Sequence, residues 1–119
     1  MSDLKLGAVE SRFADIIWKN EPLSTGELVK LAAAELNWKR TTTYTVLKRL
    51  RERGIFETVE GAVTSLISKR EFYAVQSEKF VEETFEGSLP AFLAAFGTRK
   101  KMSEEEIDEL KAIIEKMRG

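Results

Sequence analysis

The sequence predicts a mainly α fold with a small β-hairpin: a winged helix-turn-helix over residues 1–69, followed by a helical domain over residues 70–119. Three observations predict it. Residues 39–53, KRTTTYTVLKRLRER, combine a helical apolar period with a strong local positive charge. A capping signal and a short connection place another helix directly before this one. After Gly54 the period changes from helical to alternating, and by Arg70 it is helical again.

The first helix is expected from about Ala8 to Lys19, with Val9, Phe13, Ile16 and Ile17 on one buried face and Trp18 extending it. Asn20 and Pro22 end it, because proline disfavours helix in the residue before it. The stretch Leu23 to Leu36 follows, where Ser24 and Glu27 have the spacing of a capping box. Leu28, Leu31, Ala32 and Leu36 form its stripe, and the small run from Ala32 to Ala34 permits close packing. Asn37 and Trp38 make a short connection into the third helix.

In that third helix Thr43, Val46, Leu47 and Leu50 follow the i, i+3, i+4, i+7 rule and form the face to bury. A turn of roughly 100° per residue gathers Thr41, Thr45 and Lys48 on the opposite side, with Tyr44 and Arg49 on its flanks. Gly54 stands where a left-handed C-terminal cap is expected. Ile55, Glu57 and Val59 then alternate with Phe56 and Thr58. Glu60, Gly61 and Ala62 form a turn, and Val63 to Ser68 return as the second strand of a wing. Glu57 and Glu60 have no compensating cation nearby, so this wing is expected to pack, or to brush a phosphate backbone, rather than grip it.

From Arg70 onward Phe72, Tyr73, Phe80, Val81 and Phe85 supply bulky contacts. Gly87 and Ser88 break the run and cap the next helix, in whose first turn Pro90 is tolerated. Leu89, Phe92, Leu93 and Phe96 share its stripe. Ser103 and Glu106 form a second capping box, and Ile107, Leu110, Ile113, Ile114 and Met117 line the last seam. These helices are too few to enclose a core of their own, so residues 70–119 are expected to form a helical dimerisation domain completed by a second copy, the alternative being packing against the N-terminal domain of the same chain.

Composition narrows the function. The 119 residues contain neither cysteine nor histidine, which removes disulfides, thiolate zinc sites, cysteine nucleophiles and imidazole chemistry. The glycines are scattered, with no phosphate-cradling loop, and the acids lack calcium-loop spacing. No cofactor, no metal and no enzymatic activity are expected. No stretch approaches the roughly 18 apolar residues needed to cross a bilayer. MSDLKLGAVE lacks the pattern of a secretory signal, so a cytoplasmic protein without membrane insertion is expected.

The net charge is -1, yet Lys39, Arg40, Lys48, Arg49, Arg51 and Arg53 face only Glu52 within the third helix. That local excess is the footprint expected for a polyanion. Hydroxyls, a phenol and cations on one face can hydrogen-bond base edges and phosphates, and threonine methyls can pack on thymine methyls. Double-stranded DNA is therefore the expected partner. A two-fold dimer would set two such helices roughly 34 Å apart over a palindromic operator. The alternative is a winged-helix protein–protein interaction module without sequence-specific DNA binding, which the acidic wing and net charge favour. The exposed leucine or aromatic anchors of a protein-docking face are not what this helix presents.

Four stretches, ADIIWKNEPLSTGELVKLAAA, TTTYTVLKRLRERGIF, FVEETFEGSLPAFLAAF and KMSEEEIDELKAII, resemble in order and spacing the penicillinase repressors of the BlaI/MecI type, a family that includes the copper-responsive CopY proteins. The resemblance implies a homodimeric winged-helix transcriptional repressor on an operator overlapping a promoter. It implies readout through the helix from Arg40 to Arg53, with Thr41, Thr42, Thr45 and Arg49 at base- and phosphate-contacting positions. Tyr44 and Lys48 join this set from helical geometry alone. Dimerisation is expected through Phe80, Phe85, Leu89, Phe92, Leu93, Phe96, Ile107, Leu110 and Ile114.

In the penicillinase repressors a membrane sensor and protease system brings about cleavage at an Asn-Phe bond. The matching bond here is Ala95–Phe96, where the asparagine is missing. The paired cysteines of the copper-responsive relatives are absent too. Gly7 replaces the family's usual serine or threonine cap on the first helix, a weaker cap.

Overall fold

The computed structural model describes residues 6–119. In chain order the elements are α1 (Ala8–Asn20), β1 (Leu23–Ser24), α2 (Thr25–Leu36), α3 (Arg40–Glu52), β2 (Phe56–Val59), β3 (Ala62–Ser65), α4 (Lys69–Phe85), α5 (Leu89–Arg99) and α6 (Glu104–Met117). Two compact units, Met1–Ser77 and Glu78–Gly119, divide within α4. The architecture is mainly α with a small antiparallel sheet, as the periodicities predict.

In the first unit α1 starts at Gly7, which has no side chain to offer as a cap. The carboxylate of Glu10 reaches back and accepts the Gly7 amide at 3.2 Å, satisfying one of the free N–H groups of the first turn. Phe13, Ala14, Ile16 and Ile17 are buried. Val9, expected on the same face, is 50% exposed. Its helical phase suits burial, but it lies in the first turn and the buried stretch begins a turn later.

The sheet holds one strand more than the sequence predicts. Leu23 and Ser24 form β1 and pair antiparallel with Val63 and Ala62, giving the order β1-β3-β2. Two residues cannot display a period of two, so this strand leaves no pattern to read. Ser24 also closes the predicted capping box: its Oγ accepts the Glu27 amide at 3.0 Å, and Glu27 accepts the Ser24 amide at 3.0 Å.

Pairing of Val59 with Ala62 leaves only Glu60 and Gly61 in the hairpin turn, at φ 51° and 79°. Two successive positive φ values suit the right-handed twist of a two-residue hairpin. Ala62 therefore starts β3 rather than ending the turn, and the strand stops at Ser65, short of the expected Ser68.

Helix α3 ends as Gly54 predicts. At φ 79°, Gly54 donates to the Arg51 carbonyl at 3.0 Å and Ile55 donates to the Leu50 carbonyl at 3.1 Å, the paired bonds of a Schellman end. This closure carries Ile55 into the core directly before Phe56, so both are buried where strand alternation predicts one.

Phe13, Ile17, Leu28, Leu50, Ile55, Phe56, Val63 and Phe72 are fully enclosed at the centre of this unit. Trp18 ties its edge together. The indole N–H donates to the Ile67 carbonyl at 3.1 Å, and the ring lies 5.3 Å from Phe56 and 5.6 Å from Phe72, centroid to centroid. Such aromatic pairs add about 0.5–1.5 kcal/mol beyond area burial. The first turn of α4 is thus part of the winged-helix core.

In the second unit, Ser88 caps α5 by accepting the Ala91 amide at 3.1 Å, and Ser103 with Glu106 forms the predicted box at the start of α6. Phe80, Phe85 and Phe92 meet edge to face. No residue of α5 or α6 is buried. Leu89, Phe96, Ile107, Ile113, Ile114 and Met117 are all exposed. Among the described residues, no helix is long and apolar enough to cross a membrane.

Candidate nucleic-acid interface

The predicted stripe of α3 is buried without exception: Thr43, Val46, Leu47 and Leu50 all face the core. Thr43, the polar member, donates its hydroxyl to the Lys39 carbonyl at 3.2 Å, so its burial leaves no donor unmet. Fixing this face fixes the other. Arg40, Thr41, Thr42, Tyr44, Thr45, Lys48 and Arg49 are all exposed, so every residue predicted for the site lies on solvent-facing surface.

The start of α3 differs from the serine-capped starts of α2, α5 and α6. Ser24, Ser88 and Ser103 cap their helices with side-chain oxygens, whereas Lys39 stands at the N-cap of α3 with no side-chain cap. Cations at the positive end of a helix dipole and uncapped amides both weaken the helix locally. Together they make an anion-binding end. Local rules broken in this way are expected where function sets the residues.

Side chains on this face are partly pre-arranged. The Arg40 guanidinium lies 5.8 Å from the Tyr44 ring centroid. Hydrogen bonds from Arg40 and with Thr25 at the start of α2 hold the Tyr44 phenol below its usual pKa. The Thr45 hydroxyl donates to the Thr41 carbonyl at 2.9 Å, which leaves its methyl and its oxygen lone pairs for an outside partner. Between α3 and the hairpin runs a groove of about 640 Å³, lined by Tyr44, Lys48, Arg51 and Glu52 on the helix and by Phe56, Glu57, Thr58 and Leu66 opposite.

Arg49 has a partner that the sequence does not reveal. Its Nη1 donates to Glu10 Oε2 at 3.1 Å, linking α3 to the beginning of α1. Partial burial works to raise the Glu10 pKa. The Gly7 amide, the Arg49 hydrogen bond and the charges of Arg53 and Arg49 outweigh it, and the carboxyl lies below its usual range. The spacing of Gly7 and Glu10 hints at the capping role, but nothing in the linear order points from Glu10 to Arg49.

The chain is similar to known proteins over nearly its whole length. The sequence model of the penicillinase repressor family matches residues 6–116. The penicillinase repressor of Bacillus licheniformis is 29% identical over 115 residues, covering 93% of this chain and 90% of the relative. The methicillin resistance regulatory protein MecI of Staphylococcus aureus strain Mu50 is 22% identical over 116 residues, covering 94% of each chain. That of Mammaliicoccus sciuri is 21% identical with the same coverage.

Proposed function

The chain belongs to the penicillinase repressor family, and on that premise we propose that it is a homodimeric, sequence-specific DNA-binding repressor of transcription acting at a palindromic operator. The observation that carries the reading is the two-sidedness of α3. One face is wholly buried, and the other presents Thr41, Thr42, Tyr44, Thr45, Lys48 and Arg49 around an uncapped, cationic N-terminus.

In this reading α3 enters the major groove. Thr41, Thr42 and Thr45 face base edges, where a threonine methyl suits thymine and its oxygen suits an amino group. Arg40, Lys48 and Arg49 hold phosphates and set the register, and Tyr44, steadied by Arg40, supports the first turn. The acidic wing contributes by packing rather than by gripping the backbone. Affinity rests largely on counterion release and so falls steeply with added salt.

Dimerisation assigns the exposed apolar residues of α5 and α6, with Phe80 and Phe85, to a second copy of the chain. Two half-sites bound together gain affinity that neither has alone. Repression follows from exclusion of polymerase at the operator, in the cytoplasm, and no catalytic step is required. If a membrane sensor and protease system acts on this chain, the matching bond Ala95–Phe96 lies inside α5. That helix must open before a protease can take an extended substrate.

Selection of bound DNA from a random duplex pool tests the proposal, using the purified protein at two salt concentrations and repeated with Thr45→Ala and Arg49→Ala. The expected result is a palindromic consensus with half-sites roughly one helical turn, ~34 Å, apart, relaxed or lost in both variants. Enrichment of no sequence, or weak binding indifferent to both substitutions, would reject it and favour a protein partner for this face.

A further inference from the structure

We infer that Glu10, on α1 and outside the DNA-reading helix, is a positioning residue for Arg49, trading some general DNA affinity for discrimination between operator and random sequence. The inference rests on the DNA-binding reading of α3 and adds to it a residue of another helix.

The geometry assigns both carboxylate oxygens of Glu10. Oε1 accepts the Gly7 amide at 3.2 Å, anchoring the side chain to the start of its own helix. Oε2 accepts Arg49 Nη1 at 3.1 Å. Because Gly7 has no side chain, this carboxylate is what caps α1, and its place is set by backbone before Arg49 reaches it. The Glu10 side chain is 21% exposed and that of Arg49 51% exposed, so the acid is the more fixed partner and the guanidinium the more accessible one.

An arginine carries five donors in a rigid fork. Engaging Nη1 therefore orients the whole guanidinium while leaving donors for a phosphate. An arginine already ordered loses less freedom on binding, and loses it only where a phosphate sits at the right place. That condition is met by a DNA site in correct register and missed by most others. The carboxylate also opposes every nearby phosphate, whatever the sequence. Its removal should thus strengthen random binding while weakening the preference for the operator.

The test compares the wild type with Glu10→Gln, which keeps the side-chain length and an oxygen for the Gly7 amide but not the charge. Affinities are measured for a duplex carrying the selected consensus and for a scrambled duplex, across a series of salt concentrations. The expected result is a fall of about fivefold or less in the consensus-to-scrambled ratio, the range of an exposed ion pair. The slope of log affinity against log salt on the scrambled duplex should steepen by up to about 0.9, as one cation is released from its internal partner. In an Arg49→Ala background the same substitution should leave the ratio unchanged.

A purely structural role for Glu10 would weaken both duplexes in parallel without altering the slope, and that outcome overturns the inference. So does a ratio unmoved by Glu10→Gln, or one moved equally with and without Arg49. Failure of the wild type to distinguish the duplexes at all would reject the DNA-binding reading itself, and this inference with it. Arg49→Lys approaches the same question from the other side and does not disturb the α1 cap. Keeping the charge but losing the fork, it should lower the ratio with little change in slope; an unchanged ratio counts against Glu10.

Discussion

The carboxylate of Glu21 accepts both the amide and the hydroxyl of Ser65, each at 2.8 Å, joining the residue after α1 to the last residue of β3. The bonds are partly buried, and one carboxylate oxygen of Glu21 serves both groups. Glu21→Ala should leave the Ser65 amide wanting and destabilise the winged-helix unit by about 1–3 kcal/mol. Urea unfolding should show a lower midpoint with an unchanged slope, the sign of lost stability rather than altered compactness.

Phe72 is fully enclosed although it belongs to α4. Phe72→Ala should cost about 3–5 kcal/mol, a large part of the stability of a small domain. Chemical denaturation measures it directly. A loss below about 1 kcal/mol would mean that the site collapses around the smaller residue or that the first turn of α4 contributes little.

Asp15 accepts Lys69 at 2.6 Å and Lys19 at 2.9 Å. Hydrogen bonds from Lys69 and then Lys19 hold its carboxyl below the usual range, with burial opposing them. A folded-state pKa below the unfolded value gives stability that is fully present above the unfolded pKa, near 4, and is lost as the pH falls through the lower folded value. Asp15→Asn should therefore lower the melting temperature at pH 7. The gap from wild type should narrow as the solution is acidified below about pH 4.

The apolar seam of α6 gives a test of assembly. Ile114 is 44% exposed. On the proposed dimer, Ile114→Asp should shift the protein from dimer to monomer in sedimentation, while α6, capped by Ser103, keeps its helicity by circular dichroism. Consensus affinity should then drop by roughly 10²-fold or more as the two half-sites cease to be bound together. An unchanged dimer would place the interface elsewhere.

Much of the fold could be read from the sequence because its signals are local. The boxes at Ser24–Glu27 and Ser103–Glu106 each need only four residues, and the stripe from Thr43 to Leu50 repeats within one helix. Gly54 marks its own left-handed turn. The exposed face of α3 was legible for the same reason, as the complement of a buried stripe. What could not be read depends on residues far apart in the chain. Leu23 becomes a strand only because Val63 lies beside it, and Arg49 gains an acid 39 positions away. Val9 shows the reverse failure, since the right helical phase does not tell how far along a helix its cover extends.

The pairing of β1 with β3 has a consequence for how the chain reaches this state. Leu23 and Val63 can meet only after the chain between them, which holds all of α2 and α3, has been drawn into a closed loop. Loop closure costs entropy before the contact returns anything, so the two helices should be compact before the strand docks. The helix that carries the exposed basic face would then form early, and the sheet would close last, as a clasp over an assembly already in place.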